Sequence, residues 1–385
     1  MRLLISINSH ESTNKFQRGL NMRIIRIWAV LLGGLLAFQA CDDSSKKKGE
    51  EILLSLIQNS SQQANLFPPG PTVRRSTDAQ PPSPGPSADF IRSERKQDFL
   101  AKIDRPVAFS VNGKGYLAFR DTPTTAWIDL WEYSPNTDSW TQKQTLVTGQ
   151  SNVGLVAFGV AGKGYLSVPV NSTFNFVNKY DPTTNVWTQI ANMPGGPRSN
   201  GAAFVIGTKA YVGTGRSLQG TVLKSFYELD TVTETWRSVA DLPAARMDSV
   251  AFVLNGAGYV GGGQDALHQL SDFWQYQPQT NGPGTWIQIA SFPGITGSGT
   301  GTSVDGKGLI IGYVYAPNPN FERQVWSYDP SVGWKQETNL YFSSQPESLG
   351  TTASFTTGSF AYSVIGQKVY QFQRVIIGPD EPSDM

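Results

Sequence analysis

One cysteine and two histidines in 385 residues exclude a disulfide framework and leave too few ligands for a metal cage built on thiolate or imidazole. Charge is scarce and evenly split, 31 Lys+Arg against 30 Asp+Glu, so no field exists that would draw the chain onto nucleic acid or another polyanion. The apolar run Ile27–Phe38 stops at 12 residues, short of the roughly 20 that a membrane-spanning helix requires. A Gly-Lys-Ser/Thr phosphate loop and the acidic spacing of a calcium loop are both missing. What is abundant is glycine (39), proline (24) and tryptophan (10), with few stretches of helical period, a composition that reads as all-β with many turns.

The amino-terminal region is organised separately. Met22–Arg26 forms a short basic start, the 12-residue apolar run follows, and the run ends in Phe38-Gln39-Ala40-Cys41. This has the plan of a signal peptide, and its end resembles the bacterial lipobox, in which the thiol is acylated and becomes the mature amino terminus. Ala40 fits that pattern, while Phe38 and Gln39 depart from its small or aliphatic choices. The expectation is removal of residues 1–40, with Met22 as a candidate true start, and a lipid on Cys41. Residues 41–89, with Asp42–Lys48 and the clusters Pro68–Pro71 and Pro81–Pro86, read as a solvated, semi-rigid tether. Residues 90–378 then form the folded domain and 379–385 a tail.

That domain is repetitive. A turn followed by Tyr116, Tyr165, Tyr211, Tyr259, Leu309 and Tyr362 recurs at spacings of 49, 46, 48, 50 and 53, and a second marker, Trp140, Trp187, Trp236, Trp286 and Trp334, recurs at 47, 49, 50 and 48. Between them lies a strand ending in a turn, as in Asn178-Lys179-Tyr180-Asp181-Pro182. Each period holds four short β-rich runs, hence one four-stranded antiparallel sheet, and a sheet with two apolar faces must stack on copies of itself. The tryptophans, fixed in place from copy to copy, read as the residues that pack one sheet on the next.

The combination of these markers resembles the Kelch family, whose repeat has Gly-Gly after the second strand, Tyr-Asp-Pro after the third and Trp in the fourth. Gly261-Gly262-Gly263 carries the doublet and Gly213-Thr214-Gly215 a relaxed form; Ala118-Phe119, Val168-Pro169 and Ile311-Gly312 lack it. The resemblance implies a β-propeller over about residues 90–372. The last copy has no Trp strand, and Phe90 lies 26 residues before Tyr116, so Phe90-Ile91-Arg92 is the candidate that completes it. The fold expected is an all-β, six-bladed Kelch-type propeller, closed into a ring with no unpaired edge at the seam. The strand Asp272-Phe273-Trp274-Gln275-Tyr276 is similar to those of Kelch lipoproteins of Bacteroidetes-type bacteria, which implies a cell envelope and commonly an outer membrane. Asp42-Asp43 would mark inner-membrane retention under enterobacterial sorting and leaves the leaflet open.

The fold most readily suggests galactose oxidase, also a Kelch propeller, but a copper site with a Tyr–Cys crosslink is beyond a chain whose lone cysteine is Cys41. No cofactor and no metal are expected. A hydrolytic triad would need His268, which has no Gly-x-Ser-x-Gly elbow beside it. Strand alternation puts the long second–third connections on one face, where binding on a rigid scaffold usually lives. Asp121, Trp127, Arg216, His268 and Tyr315 are its candidate binding residues. Arg105 (IDRPV), Arg198 (GGPRS) and Arg246 (AARMD) enter the innermost strands near the channel mouth, Arg105 offset by two positions. Converging, they would take a carboxylate by bidentate pairing; alternatively they close rim salt bridges. The function expected is a monomeric, lipid-anchored module that binds a glycan, a peptide or an envelope protein. A sugar mutarotase resembling the N-acetylneuraminate epimerases, with an arginine for the carboxylate and one of the loop carboxylates as acid/base, is the alternative.

Overall fold

The computed structural model describes residues 88–99, 103–120, 127–148, 154–169, 175–296, 299–315, 322–337 and 352–377. All of them belong to one compact unit, Ser83–Met385. The signal peptide, the lipidated Cys41 and the tether expected over residues 41–89 lie outside the described residues, except that Ala88 and Asp89 belong to a strand, Ala88–Arg95.

Six four-stranded antiparallel blades make up the unit. Blade 4 shows the plan: Val250–Leu254 is innermost, then Ala257–Gly261, Phe273–Gln277 and Thr285–Ile289 outward. The second strand is buried at every residue, because neighbouring blades cover both of its faces, whereas the fourth is largely exposed. That gradient explains why the second strands read as unbroken small and apolar runs rather than as alternating ones. The first–second turns are two-residue hairpins, and in four blades both residues adopt positive φ, as at Asn112 (52°) and Gly113 (73°) or Asn255 (51°) and Gly256 (73°), the conformation that suits the strand twist.

The second glycine of the Gly-Lys-Gly turn does something else. A Cβ on Gly115 would lie 2.0 Å from the Phe355 ring of the preceding blade, and one on Gly258 would lie 2.2 Å from Phe204. These glycines exist to admit a neighbour's phenylalanine. The fourth-strand tryptophans also join blades, though each is only half-buried. The Trp286 ring packs, tilted by 56°, 5.0 Å from that of Phe226 of blade 3, and its indole N–H donates to the Ala240 carbonyl at 2.9 Å. Trp187 reaches Gln144 O at 2.8 Å and Trp334 reaches Ala290 O at 2.9 Å in the same way.

The ring closes where the sequence placed it. Ala88–Arg95 pairs antiparallel with Lys368–Ile377 as the outer strand of blade 6, but Ser93, not Phe90, faces Phe372 at the place a tryptophan holds elsewhere. In place of the missing indole, polar contacts hold the closing strand within blade 6, through Arg374, and to blade 5, through Lys307 and Glu337. Asp89 accepts from Arg374 Nε and Nη2 at 3.1 and 3.0 Å and lies 2.7 Å from Lys307 Nζ, and Glu337 Oε2 accepts the Ile91 N–H at 3.3 Å. Trp140 carries the indole link across the seam to Gln97 O at 3.4 Å.

Candidate functional site

The connections sort by face as the topology requires. Two-residue turns occupy one end of the ring, and the runs from Gly213 to Phe226 and from Gly261 to Phe273 cross the other. The innermost strands of all six blades surround a channel with a cavity of about 210 Å3, walled by small uncharged residues such as Ala108, Ala157, Ala203 and Thr300. The wall carries no acid, base or nucleophile beyond serine and threonine hydroxyls among the described residues.

The three arginines do not converge on this mouth. Arg246 is 0% exposed and braces its own blade: Nη1 donates to Gly262 O (3.2 Å), Asp272 O (3.3 Å) and Asp272 Oδ1 (3.0 Å), and Nη2 to Asp272 Oδ2 (2.6 Å). Arg198, 1% exposed, makes the equivalent brace in blade 3 without a carboxylate. Its Nη1 donates to Thr214 O (3.3 Å) and Ser225 O (3.0 Å), its Nη2 to Ser225 Oγ (3.2 Å), and its Cζ lies 5.1 Å over the Tyr227 ring. Burial pulls the Arg198 guanidinium below the usual arginine range, and Tyr227 opposes this. A buried guanidinium is tolerated when most of its donors are taken, and apart from Arg198 Nε, which has no partner among the described residues, these are, so both side chains are spent on holding second- and third-strand ends together. Of the two expectations, the salt bridge holds for Arg246 alone.

Arg105 is different because it occupies another position of the repeat. Counted back from the first-strand phenylalanines Phe109, Phe158, Phe204 and Phe252, Arg105 aligns with Gly154, Asn200 and Asp248, each four residues earlier. All four adopt positive φ, at 45°, 61°, 57° and 56°. Arg105 is exposed beside a β-bulge between Asp104 and Val107, and a bulge re-aims the side chain it carries. Asn200 and Asp248 join adjacent blades: the Asp248 N–H donates to Asn200 O at 3.0 Å, and Asn200 Nδ2 to Asp248 Oδ1 at 2.5 Å. Gln264 Nε2 donates to Asp248 Oδ2 at 2.9 Å, and Gln269 Nε2 to Gln264 Oε1 at 3.1 Å. Sequence reading missed Asn200, Asp248 and Gln264; alignment on the phenylalanines was the signal that finds the first two.

The loop candidates spread around this mouth. Arg216 is exposed, held by Nε to Gly220 O at 3.3 Å, with its backbone paired to Ser199. His268 projects at a loop tip with its side chain 73% exposed, Nδ1 3.6 Å from Asp265 Oδ1. Asp265 Oδ1 accepts the Leu267 and His268 N–H groups, and these bonds hold its carboxyl below the usual value. Trp127, 46% exposed, starts the third strand of blade 1 opposite the exposed Val147. Asp121 and the Tyr315 side chain lie outside the described residues. Among the described residues no group of three His, Cys, Asp or Glu side chains is placed to hold a metal ion.

No family model matches the chain. It is 30% identical to the human Kelch-like protein 35 over 162 residues, 42% of this chain and 26% of that protein, so it spans about a quarter of that relative's length. It is 24% identical to the N-acetylneuraminate epimerase of Pasteurella multocida over 299 residues, 59% of this chain and 78% of the enzyme. Among solved structures, that of YjhT superimposes with a TM-score of 0.57 at 13% identity, over 72% of this chain and 98% of YjhT, a likeness of fold alone. Repeat, blades and relatives together make this chain a six-bladed Kelch-type β-propeller.

Proposed function

We propose that the chain is a binding module of a bacterial cell envelope, lipid-anchored through Cys41, that engages a glycan, a peptide or an envelope protein through its long-loop face. The observation that carries this is the channel mouth. Polar residues at one repeat position, Arg105, Asn200 and Asp248, directly precede the channel-lining Pro106, Gly201 and Ser249, with Gln264 bonded to Asp248 and the Arg216 backbone paired to Ser199, next to a channel wall with no charged group among the described residues. Rigid propeller loops bearing amide and charged groups suit recognition of hydroxyl, amide or carboxylate ligands. A glycan and peptide array probed with residues 83–385 tests it: hits that vanish in Arg105→Ala or Asp248→Ala support the reading, and an array without hits sinks it. For the anchor, Cys41→Ala is expected to move the chain from the membrane to the soluble fraction.

The likeness to the epimerase favours a second reading, sugar mutarotation. With Arg198 and Arg246 internal, Arg105 is the one of the three arginines left to face a substrate carboxylate. NMR of freshly dissolved N-acetylneuraminate decides it: anomer exchange no faster with the protein than without removes this alternative.

A further inference from the structure

We propose that the channel mouth is a two-pole clamp for a short peptide with free ends, Arg105 taking the terminal carboxylate and Asp248 the terminal ammonium. The inference rests on the long-loop face being the binding face. Blades 1 and 4 are three steps apart in a ring of six, so these two residues, at the same repeat position, stand on opposite sides of the channel.

Each carries a charge that no opposite charge among the described residues matches. Arg105 is exposed at its bulge and has no carboxylate within ion-pair distance among the described residues. The Asp248 carboxylate is half-buried, and among the described residues its oxygens accept only from the neutral amides of Asn200 (2.5 Å) and Gln264 (2.9 Å). A carboxylate partly withdrawn from water with neutral donors alone gains most from an arriving cation, and a bare guanidinium from a carboxylate that it grips at two points. Both sit at positive φ, 45° and 56°, a conformation that non-glycine residues keep only where the surroundings impose it and that clusters at ligand clamps. The wall below offers no third charge among the described residues to compete. A neutral glycan would satisfy neither pole, and a simple anion only one.

Calorimetric titration of the full-length chain with glycine peptides of three to six residues, free or blocked by N-acetylation or C-amidation, tests the clamp. One length is expected to bind best, since an extended chain gains about 3.3–3.6 Å per residue and the poles are fixed. Blocking either end should weaken binding about 10- to 100-fold. The acetylation penalty should disappear in Asp248→Asn and the amidation penalty in Arg105→Gln, with melting temperatures reporting whether each variant folds. The comparison of free with blocked peptides on the unmutated chain stands without them. Equal binding of free and blocked peptides overturns the clamp. So does failure of every peptide alongside a glycan hit that Asp248→Ala abolishes, which leaves the binding face standing. Failure of every ligand on the array as well overturns both.

Discussion

Asp272→Ser gives blade 4 the residue that blade 3 carries at the equivalent place, Ser225. In blade 4 it removes a bidentate pair with a fully buried arginine, at 3.0 and 2.6 Å, and the partner of the Trp274 indole N–H at 2.6 Å. Deleting one member of a buried ion pair typically costs about 3–5 kcal/mol. Blade 3 shows what would compensate: Arg198 is held by two carbonyls, a serine hydroxyl and an aromatic face, and the Gly262 and Asp272 carbonyls would still serve Arg246. The loss should therefore fall near the lower end, about 3 kcal/mol, or about 6–12 °C in melting temperature for a domain of this size. Thermal and urea melts of residues 83–385, followed by tryptophan fluorescence, measure it. The deficit should also depend on pH. Burial raises the Asp272 pKa, but the Arg246 and Trp274 hydrogen bonds outweigh it and leave the carboxyl below its ordinary 3.8. The pair's stabilisation is thus complete above the unfolded value and lost as pH falls through the folded one. Ser225→Asp is the reciprocal test, expected to stabilise blade 3 by about 1–2 kcal/mol. A melting temperature for Asp272→Ser within 2 °C of wild type near neutrality, or an equal deficit at the lowest pH where wild type stays folded, would refute the reasoning.

Three further outcomes follow from the packing. Gly258→Ala places a methyl 2.2 Å from the Phe204 ring and should cost about 1–3 kcal/mol by overpacking, read from urea midpoints. Trp286→Phe keeps most of the ring contact with Phe226 but deletes the bond to Ala240 O, so about 1 kcal/mol should be lost in the same melts. Asp89→Asn breaks the ionic tie of the closing strand. The Arg374 hydrogen bond chiefly, with Lys307, holds Asp89 at about 2 against the opposing effect of burial, so the tie persists in wild type down to that pH. In the variant, amide exchange over Ala88–Arg95 should accelerate already at neutral pH while blade 3 is unchanged, and uniform exchange in both regions would contradict the assignment.

The period, the blade count and the closing strand were legible because each reflects a packing requirement repeated in every copy. What a repeat needs from its neighbour was not. Gly115 looks like part of the turn at Asn112-Gly113, yet its partner is Phe355, far away in sequence and in the adjacent blade. The closing strand was found by spacing but read three residues out of register, because Ser93 stands where other blades have the tryptophan that marks the position. The buried polar ladder between second and third strands also went unread, although copies compared side by side reveal it. In four blades, where the second strand opens with Lys114 or Lys209, the third carries Glu132 or Glu228, and where it opens with Ala257 or Phe360, the third carries Gln275 or Gln371; blades 2 and 5, opening with Lys163 and Lys307, carry Lys179 and Ser327 instead. A buried carboxylate needs a cation, here Lys114 at 2.7 Å and Lys209 at 2.6 Å, while the amide needs only the tyrosine hydroxyl it donates to, 2.9 Å for Gln275 and 3.0 Å for Gln371.

The same logic explains why the arginines misled. Arg198 and Arg246 keep one spacing from their phenylalanines and Arg105 another, and that offset separates structure from surface. A position whose partner varies in step with it, Arg246 with Asp272 or Arg198 with Ser225, is answering a demand inside its own blade. The mouth position runs Arg105, Gly154, Asn200 and Asp248 while the wall beneath stays small and uncharged in every described blade. One backbone conformation is therefore imposed on four chemically unlike residues, so the fold dictates the φ angle there while the side chain varies, from the exposed Arg105 to the Asn200–Asp248 pair that joins two blades. Variation of that kind at the mouth of a fixed scaffold is where a ligand, rather than the core, can set the residue, and Arg105 and Asp248 are the two charges at this repeat position among the described residues.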